Sequence, residues 1–255
     1  MAFIKPNNRL YHYRSFDTAI KHILPEHKLR LGLLVKTNDP RENKSFIFST
    51  KFKTDIDIGS LNERNKEISD ILRSDCKILS FSNDSADYFG YESSRMWAYC
   101  GSNHQGVCLE FDKSEFINEN SSLIKKELLR DIKYYQFSIK TGIIHKVIDY
   151  NEINLIGKEK YLKEKFRPLN LDYLYFTKNK EWESEAEIRL IHFSNKMDDE
   201  FCSIKNSLKN IYLGLDFDEK NLQPLIDLCP NVDIYKLEFN EVRMTPKQLY
   251  NGCNK

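Results

Sequence analysis

Between Glu181 and Leu190 the chain reads EWESEAEIRL, so that Glu181, Glu183, Glu185 and Glu187 alternate with Trp182, Ser184, Ala186 and Ile188. Side chains two apart on a strand share a face. Glu185-Ala186-Glu187, taken as the opening of a strand, therefore sets two carboxylates side by side. Such a pair can divide acid–base work, one taking a proton while the other stabilises positive charge. Arg14 ends the stretch RLYHYR and offers a planar fork suited to anions. Ser80-Phe81-Ser82 ends another extended stretch, with both hydroxyls on one face. Each feature also has a plainer explanation. An E-x-E alternation suits a solvated strand face, where pairing of the acids with Arg189, Lys178 or Lys180 contributes little. Ser80 and Ser82 also suit strand-end backbone contacts, and Arg14 suits a structural pair with Asp39 or Glu42.

Elements must bring these segments together. RLYHYR (9–14), CKILSFS (76–82), GVCLEF (106–111), DIKYYQFSI (131–139), AEIRLIHF (186–193), NIYLGL (210–215) and VDIYKLEF (232–239) read as strands, the last closing the set. LRLGLLVKT (29–37) reads as extended and NDPRE (38–42) as a turn, whose Asn and Asp bond their own backbone. Helices are expected after Ser15 as an N-cap, over 61–73, over part of 114–130, and over 218–229. The longest is expected over 158–176, interrupted at Pro168, and 43–60 reads as a loop. Strands and helices mix without a βαβ rhythm. The expected fold is α+β, one domain over 1–255, with a mixed, mostly antiparallel sheet flanked by helices.

Composition narrows the function. Lys plus Arg number 39 and Asp plus Glu 38, so bulk charge attracts neither nucleic acid nor an anionic membrane. The segment MAFIKPNNRLYHYRSF lacks the apolar core of a secretory signal, and no run approaches the ~18 apolar residues of a membrane helix. Cys76, Cys100, Cys108, Cys202, Cys229 and Cys253 are scattered without a C-x-x-C pair and read as reduced, mostly buried thiols of a cytoplasmic protein. G-x-G-x-x-G, P-loop, H-E-x-x-H and G-x-S-x-G motifs are missing from the sequence, and the six histidines form no close pair. No bound metal is expected.

LYHYRS, NDPRE, SFS, MWAYCGSNHQGVCLEFD, KEWESEAEIRL and IYLG, in this order, resemble an uncharacterised bacterial family designated domain of unknown function 2971, over about residues 10–240. The family's pattern carries Phe where Arg41 stands, and His-Tyr where Tyr99-Cys100 follow Ala98. The resemblance implies no activity. A second resemblance rests on five residues. Early Arg14, central Ser80 and Ser82, and late Glu185 and Glu187 are similar to the arginine–serine–glutamate arrangement of ADP-ribosyltransferases.

That resemblance implies NAD as co-substrate and an ADP-ribosyltransferase-like fold. It implies Arg14 on the pyrophosphate or ribose, a serine on the nicotinamide ribose, Glu187 as the catalytic carboxylate and Glu185 as its helper. Tyr11, Tyr13 or Trp97 would stack on a ring, and Asn38 and Arg189 complete the binding set. Core packing explains Trp97 better than stacking on a base does, and a turn explains His104 better than a general base. The expected function is an NAD-consuming transferase or glycohydrolase, a toxin or antiphage effector, acting on a small nucleotide with a protein, nucleic acid or water as acceptor. Two alternatives remain open: a metal-dependent nuclease using Asp39, Glu42 and Glu185, and a non-catalytic sensor or interaction domain.

Overall fold

The computed structural model describes residues 8–44, 46, 48–50, 58–85, 87–125, 128–136 and 146–252, with the backbone alone for residues 50 and 58–61. The strands are β1 (Arg9–Arg14), β2 (Lys28–Arg30), β3 (Gly32–Leu33), β4 (Phe48–Thr50), β5 (Cys76–Ser82), β6 (Val107–Asp112), β7 (Leu129–Asp131), β8 (Lys133–Tyr135), β9 (Lys146–Ile148), β10 (Thr177–Asn179), β11 (Glu187–Phe193), β12 (Phe201–Ser203), β13 (Leu208–Leu213), β14 (Asp233–Asn240) and β15 (Arg243–Tyr250). Nine of them form one sheet in the order β15-β14-β13-β6-β1-β5-β11-β7, with β3 also on β5. All its pairings are antiparallel except β13 with β14. The result is a single α+β body with a mixed, mostly antiparallel sheet, as the sequence pattern implies.

One edge of β5 is shared, and this positions the site. β11 runs along the whole of the other edge, from Glu187↔Ser82 to Phe193↔Cys76. On the shared edge β1 meets β5 only at Tyr11↔Ser82, whereas β3 pairs farther along at Gly32↔Ile78 and Leu33↔Lys77. Between these pairings the sheet splits. The Ser80 carbonyl, left without a ladder partner there, is met by the His12 ring at 3.0 Å. A carbonyl only accepts, so Nδ1 of His12 carries the proton.

The two faces of the sheet differ. Leu10, Leu79, Phe81, Leu109, Phe111, Ile188 and Leu190 pack into one apolar core. Each such side chain contributes about 1.5–3 kcal/mol when fully buried. The alternate residues build two separate clusters. Ile78 and Ile191 join the first, under the Ile58–Ser74 helix and the helical segment after Tyr150. Tyr11, Tyr13, Tyr91, Trp97 and Tyr212 form the second. The Ser80, Ser82, Glu187 and Arg189 stripe alternates with the core residues and so lies on the face of these two clusters.

Several elements depart from the expected ones. Ile58–Ser74 is the longest helix among the described residues. The 158–176 segment is interrupted, with a wide π turn over Tyr161–Phe166 just ahead of Pro168 and a second break at Asn170. Proline lacks the N–H that would continue the ladder. Phe48–Thr50, expected as loop, pairs in parallel with Lys146–Ile148. In the Asp131–Ile139 stretch Asp131 ends β7 and Lys133–Tyr135 form β8, and residues 137–139 lie outside the described residues. β14 does not close the set, because β15 lies outside it. Pro246 is tolerated there because β15 is an edge. Cys76, Cys108, Cys202 and Cys229 are buried free thiols and Cys100 is half-buried, while Cys253 lies outside the described residues. Among the described residues no helix is long and apolar enough to cross a membrane.

Candidate functional site

The split in the sheet opens into a cleft of about 880 Å³, lined by Tyr11, Tyr13, Arg14, Asn38, Ser80, Ser82, Glu185, Glu187 and Arg189 together with His12, Asp39, Lys178 and Trp182. The three chain-distant segments singled out in the sequence therefore border one hollow. They do not do so from one face. Ser82 pairs across with Tyr11 and Glu187 and shares their face, whereas Arg14 has the opposite parity on β1. It reaches the same hollow where β1 and β5 part. Behind it Gly106 packs so tightly that a Cβ there would lie 2.3 Å from the Arg14 carbonyl oxygen.

Glu185 is not on the strand. Asn179 Oδ1 accepts from Glu181 N and starts a 3₁₀ helix over Lys180–Glu185. Ala186 then takes a left-handed conformation, φ 44°, and its carbonyl accepts from Asn83 N at 2.9 Å. The acidic alternation that suggested a strand thus winds into a turn, and β11 begins at Glu187. The two carboxylates still meet, through Lys178, whose Nζ lies 2.7 Å from each.

Their environments differ sharply. Glu187 Oε1 accepts from Ser80 Oγ at 2.6 Å and Arg189 Nε at 2.7 Å. Its Oε2 accepts from Arg189 Nη2 at 3.0 Å and Lys178 Nζ at 2.7 Å. Four donors occupy the roughly four lone-pair sites of a carboxylate, so Glu187 as placed has nothing left to offer a substrate. Burial pushes its pKa up, but Arg189 and then Lys178 outweigh that and hold it below the usual carboxylate range. Arg189 in turn donates to Glu42 and to the Tyr175 carbonyl. The Glu185 side chain is 23% exposed against 3% for Glu187. Burial pushes the Glu185 carboxyl up, and Lys178 only partly opposes it.

Arg14 donates to the Tyr13 carbonyl at 3.3 Å and, among the described residues, has no carboxylate partner. Neither Asp39 nor Glu42 pairs with it. Burial holds its pKa below the ordinary arginine value. Around it Lys21, Lys28 and Arg30 line the cleft, each paired with a carboxylate, on Asp17, Glu26 and Asp199 respectively. Asp39 caps the Pro40–Asn43 helix through Oδ1, while its Oδ2, Ser82 Oγ and His12 Nε2 are buried without a hydrogen-bond partner among the described residues. Burial, then Arg14, keep His12 neutral.

The aromatic assignments need correction. Tyr11 and Tyr13 are buried and their rings are committed, Tyr11 edge-on to Tyr91 and Tyr13 edge-on to Trp97 at 5.0 Å. Tyr13 also donates to the Gly90 carbonyl. Trp97 is fully buried, donates Nε1 to the Tyr91 carbonyl at 2.8 Å and does not line the cleft. The odd residues of β1 face the aromatic cluster, which removes their rings from a ligand's reach. Phe201 and Trp182 also line the cleft, Trp182 half-buried with Lys178 Nζ 5.3 Å from its ring centre. Its position inside EWESEAEIRL was the available signal. His12 carried none, since a histidine within an alternating strand has no distinguishing pattern.

The nuclease alternative finds no metal cage. Glu42 is held by Arg189 and Glu185 by Lys178, and among the described residues no group of three or more His, Cys, Asp or Glu is placed to hold a metal ion.

An α+β body with a polar cleft in a split sheet is the class that fold and site define. Within it, residues 96–190 match a family model described as "Protein of unknown function (DUF2971)". The matched segment carries Lys178, Trp182, Glu185, Glu187 and Arg189, one wall of the cleft, but not Arg14, Ser80 or Ser82. No curated protein and no solved structure matches the chain.

Proposed function

We propose that the cleft binds a phosphate-bearing nucleotide, with NAD as its substrate, and that the protein is an NAD-consuming transferase or glycohydrolase in which Glu185, not Glu187, meets the reacting centre. The observation that carries this reading is the Arg14 guanidinium, without a carboxylate partner among the described residues, bordering the same hollow as a partly exposed carboxylate. A cation left without a carboxylate in a half-buried site is matched by an anionic ligand, and a guanidinium grips phosphate with two hydrogen bonds. The cleft's 880 Å³ lies within the range of small-molecule sites.

The chemistry follows from the groups. The bond between the ribose anomeric carbon and the nicotinamide nitrogen breaks, and its electron pair leaves with the ring. Positive charge develops on the sugar, where the Glu185 carboxylate stabilises it. Water or another acceptor adds to that carbon and gives up its proton to Glu185. Burial, which raises the Glu185 pKa, suits it to that last role. Glu187 acts through Lys178, holding the ammonium against Glu185, and is a positioning residue.

The test is nicotinamide release from NAD by purified protein. Wild-type protein is expected to release it, and Glu185→Gln to lower the rate about 100-fold or more. An unchanged rate in Glu185→Gln, or no release by wild-type protein with water, protein or nucleic acid as acceptor, contradicts the reading.

A further inference from the structure

Trp182 and Glu185 stand three residues apart in the Lys180–Glu185 3₁₀ helix. Side chains at that spacing eclipse in a helix of three residues per turn, and both line the cleft. Lys178 Nζ approaches both, 2.7 Å from Glu185 Oε2 and 5.3 Å from the indole centre. The indole thus already holds one cation against its ring, the attraction expected of an electron-rich face. The charge around it is also uneven. The cleft-lining acids on this side are Asp39, Glu185 and Glu187, with the cations Lys36, Lys178 and Arg189. Of these acids Asp39 keeps its Oδ2 without a hydrogen-bond partner among the described residues and Glu185 is partly exposed, whereas on the other side Arg14 has no carboxylate partner among the described residues.

We infer that Trp182 is the platform on which the ligand's planar ring stacks, and that this wall selects a positively charged, N-ribosylated pyridinium ring over its neutral reduced form. The inference rests on the nucleotide reading of the cleft. A ligand lying across the cleft sets its phosphates on Arg14 and its cationic ring between Trp182 and the acidic wall, so its charge distribution complements that of the protein. The eclipsed Glu185 then lies beside the glycosidic bond of the stacked ring. Trp182 is a specificity residue in this account, recognising the ring that leaves.

Calorimetric titration with two probes tests this: a carbocyclic, non-hydrolysable NAD analogue, and ADP-ribose, which lacks the pyridinium ring. Trp182→Ala is expected to weaken the analogue at least about five-fold, the scale of losing one stacked ring, and to leave ADP-ribose unchanged. Trp182→Phe, which keeps a π face, is expected to recover most of the loss. Wild-type protein is expected to bind NADH more weakly than the oxidised analogue. Equal losses for both probes in Trp182→Ala, an unchanged affinity for the analogue, or NADH binding as tightly as the analogue overturns the inference while leaving the nucleotide reading intact. Failure of ADP-ribose and the analogue alike to bind wild-type protein overturns the nucleotide reading, and this inference with it.

Discussion

The two walls of the cleft handle charge in opposite ways. On the β11 wall, Glu42, Arg189, Glu187, Lys178 and Glu185 form an alternating relay in which Glu187 is saturated and only the last member is partly open. On the β1 wall, Arg14 has no carboxylate partner among the described residues and stands beside the neutral His12. A buried charge is tolerated when it is paired and hydrogen-bonded, and is costly when it is not. The first wall therefore compensates its own charge, and on the nucleotide reading proposed above the second is the surface that takes the ligand's anion. The difference also separates two carboxylates two residues apart, whose pKa values move in opposite directions.

The sharpest way to break this contrast is Arg189→Met. It leaves Glu42 and Glu187 buried without their shared cation, and a loss of about 3–5 kcal/mol is expected in urea denaturation. Arg14→Gln, on the other wall, is expected to change stability by less than about 1 kcal/mol. Equal losses in the two variants contradict the division into scaffold and ligand surface.

Acid sharpens it further. The folded-state pKa of Glu187 is depressed below its ordinary 4.5, so its contribution is present above that value and is lost as the pH falls below it. The stability gap between wild-type protein and Glu187→Gln is therefore expected to shrink as denaturation is repeated at successively lower pH, beginning near 4.5. Glu185 has a raised pKa and makes the opposite contribution, favouring the fold as it takes up a proton. A gap independent of pH contradicts the ion-paired state of Glu187.

Gly106→Ala probes the placement of Arg14, because the new Cβ meets the Arg14 carbonyl oxygen at 2.3 Å. Overpacking of this kind costs about 1–3 kcal/mol, measured as a lower denaturation midpoint, and ADP-ribose affinity is expected to fall with it. The smallest effect is that of Glu185→Gln on stability. The side chain is partly exposed, and a change under about 1 kcal/mol is expected, while the proposed nicotinamide release is expected to fall about 100-fold.

Much of the frame was legible in the sequence because period-two patterning marks strands that bury at least one face. CKILSFS is β5 residue for residue, and Ser15 caps its helix as the pattern implied. The convergence of Arg14, Ser80, Ser82 and Glu187 on one hollow was also legible as a motif. What misled was local similarity with a non-local cause. The alternating acids before Glu187 read as a strand, yet Asn179 and the left-handed Ala186 wind them into a turn. Trp97 and Trp182 look alike in sequence, and only the aromatic cluster around β1 buries the first and leaves the second at the cleft. The Glu42–Arg189 pair joins residues 147 apart, and the splitting of β1 from β3 along β5 depends on pairings that no local window contains. β15 escaped because an edge strand with Pro246 and exposed polar residues lacks a buried face to pattern.

The most direct measurement is the melting temperature of wild-type and Arg14→Gln protein as ADP-ribose is added. A ligand that binds only the folded state raises the melting temperature with concentration. The account predicts a rising melting temperature for wild-type protein and a flat one for Arg14→Gln. No rise in wild-type protein, or an identical rise in both, would contradict it.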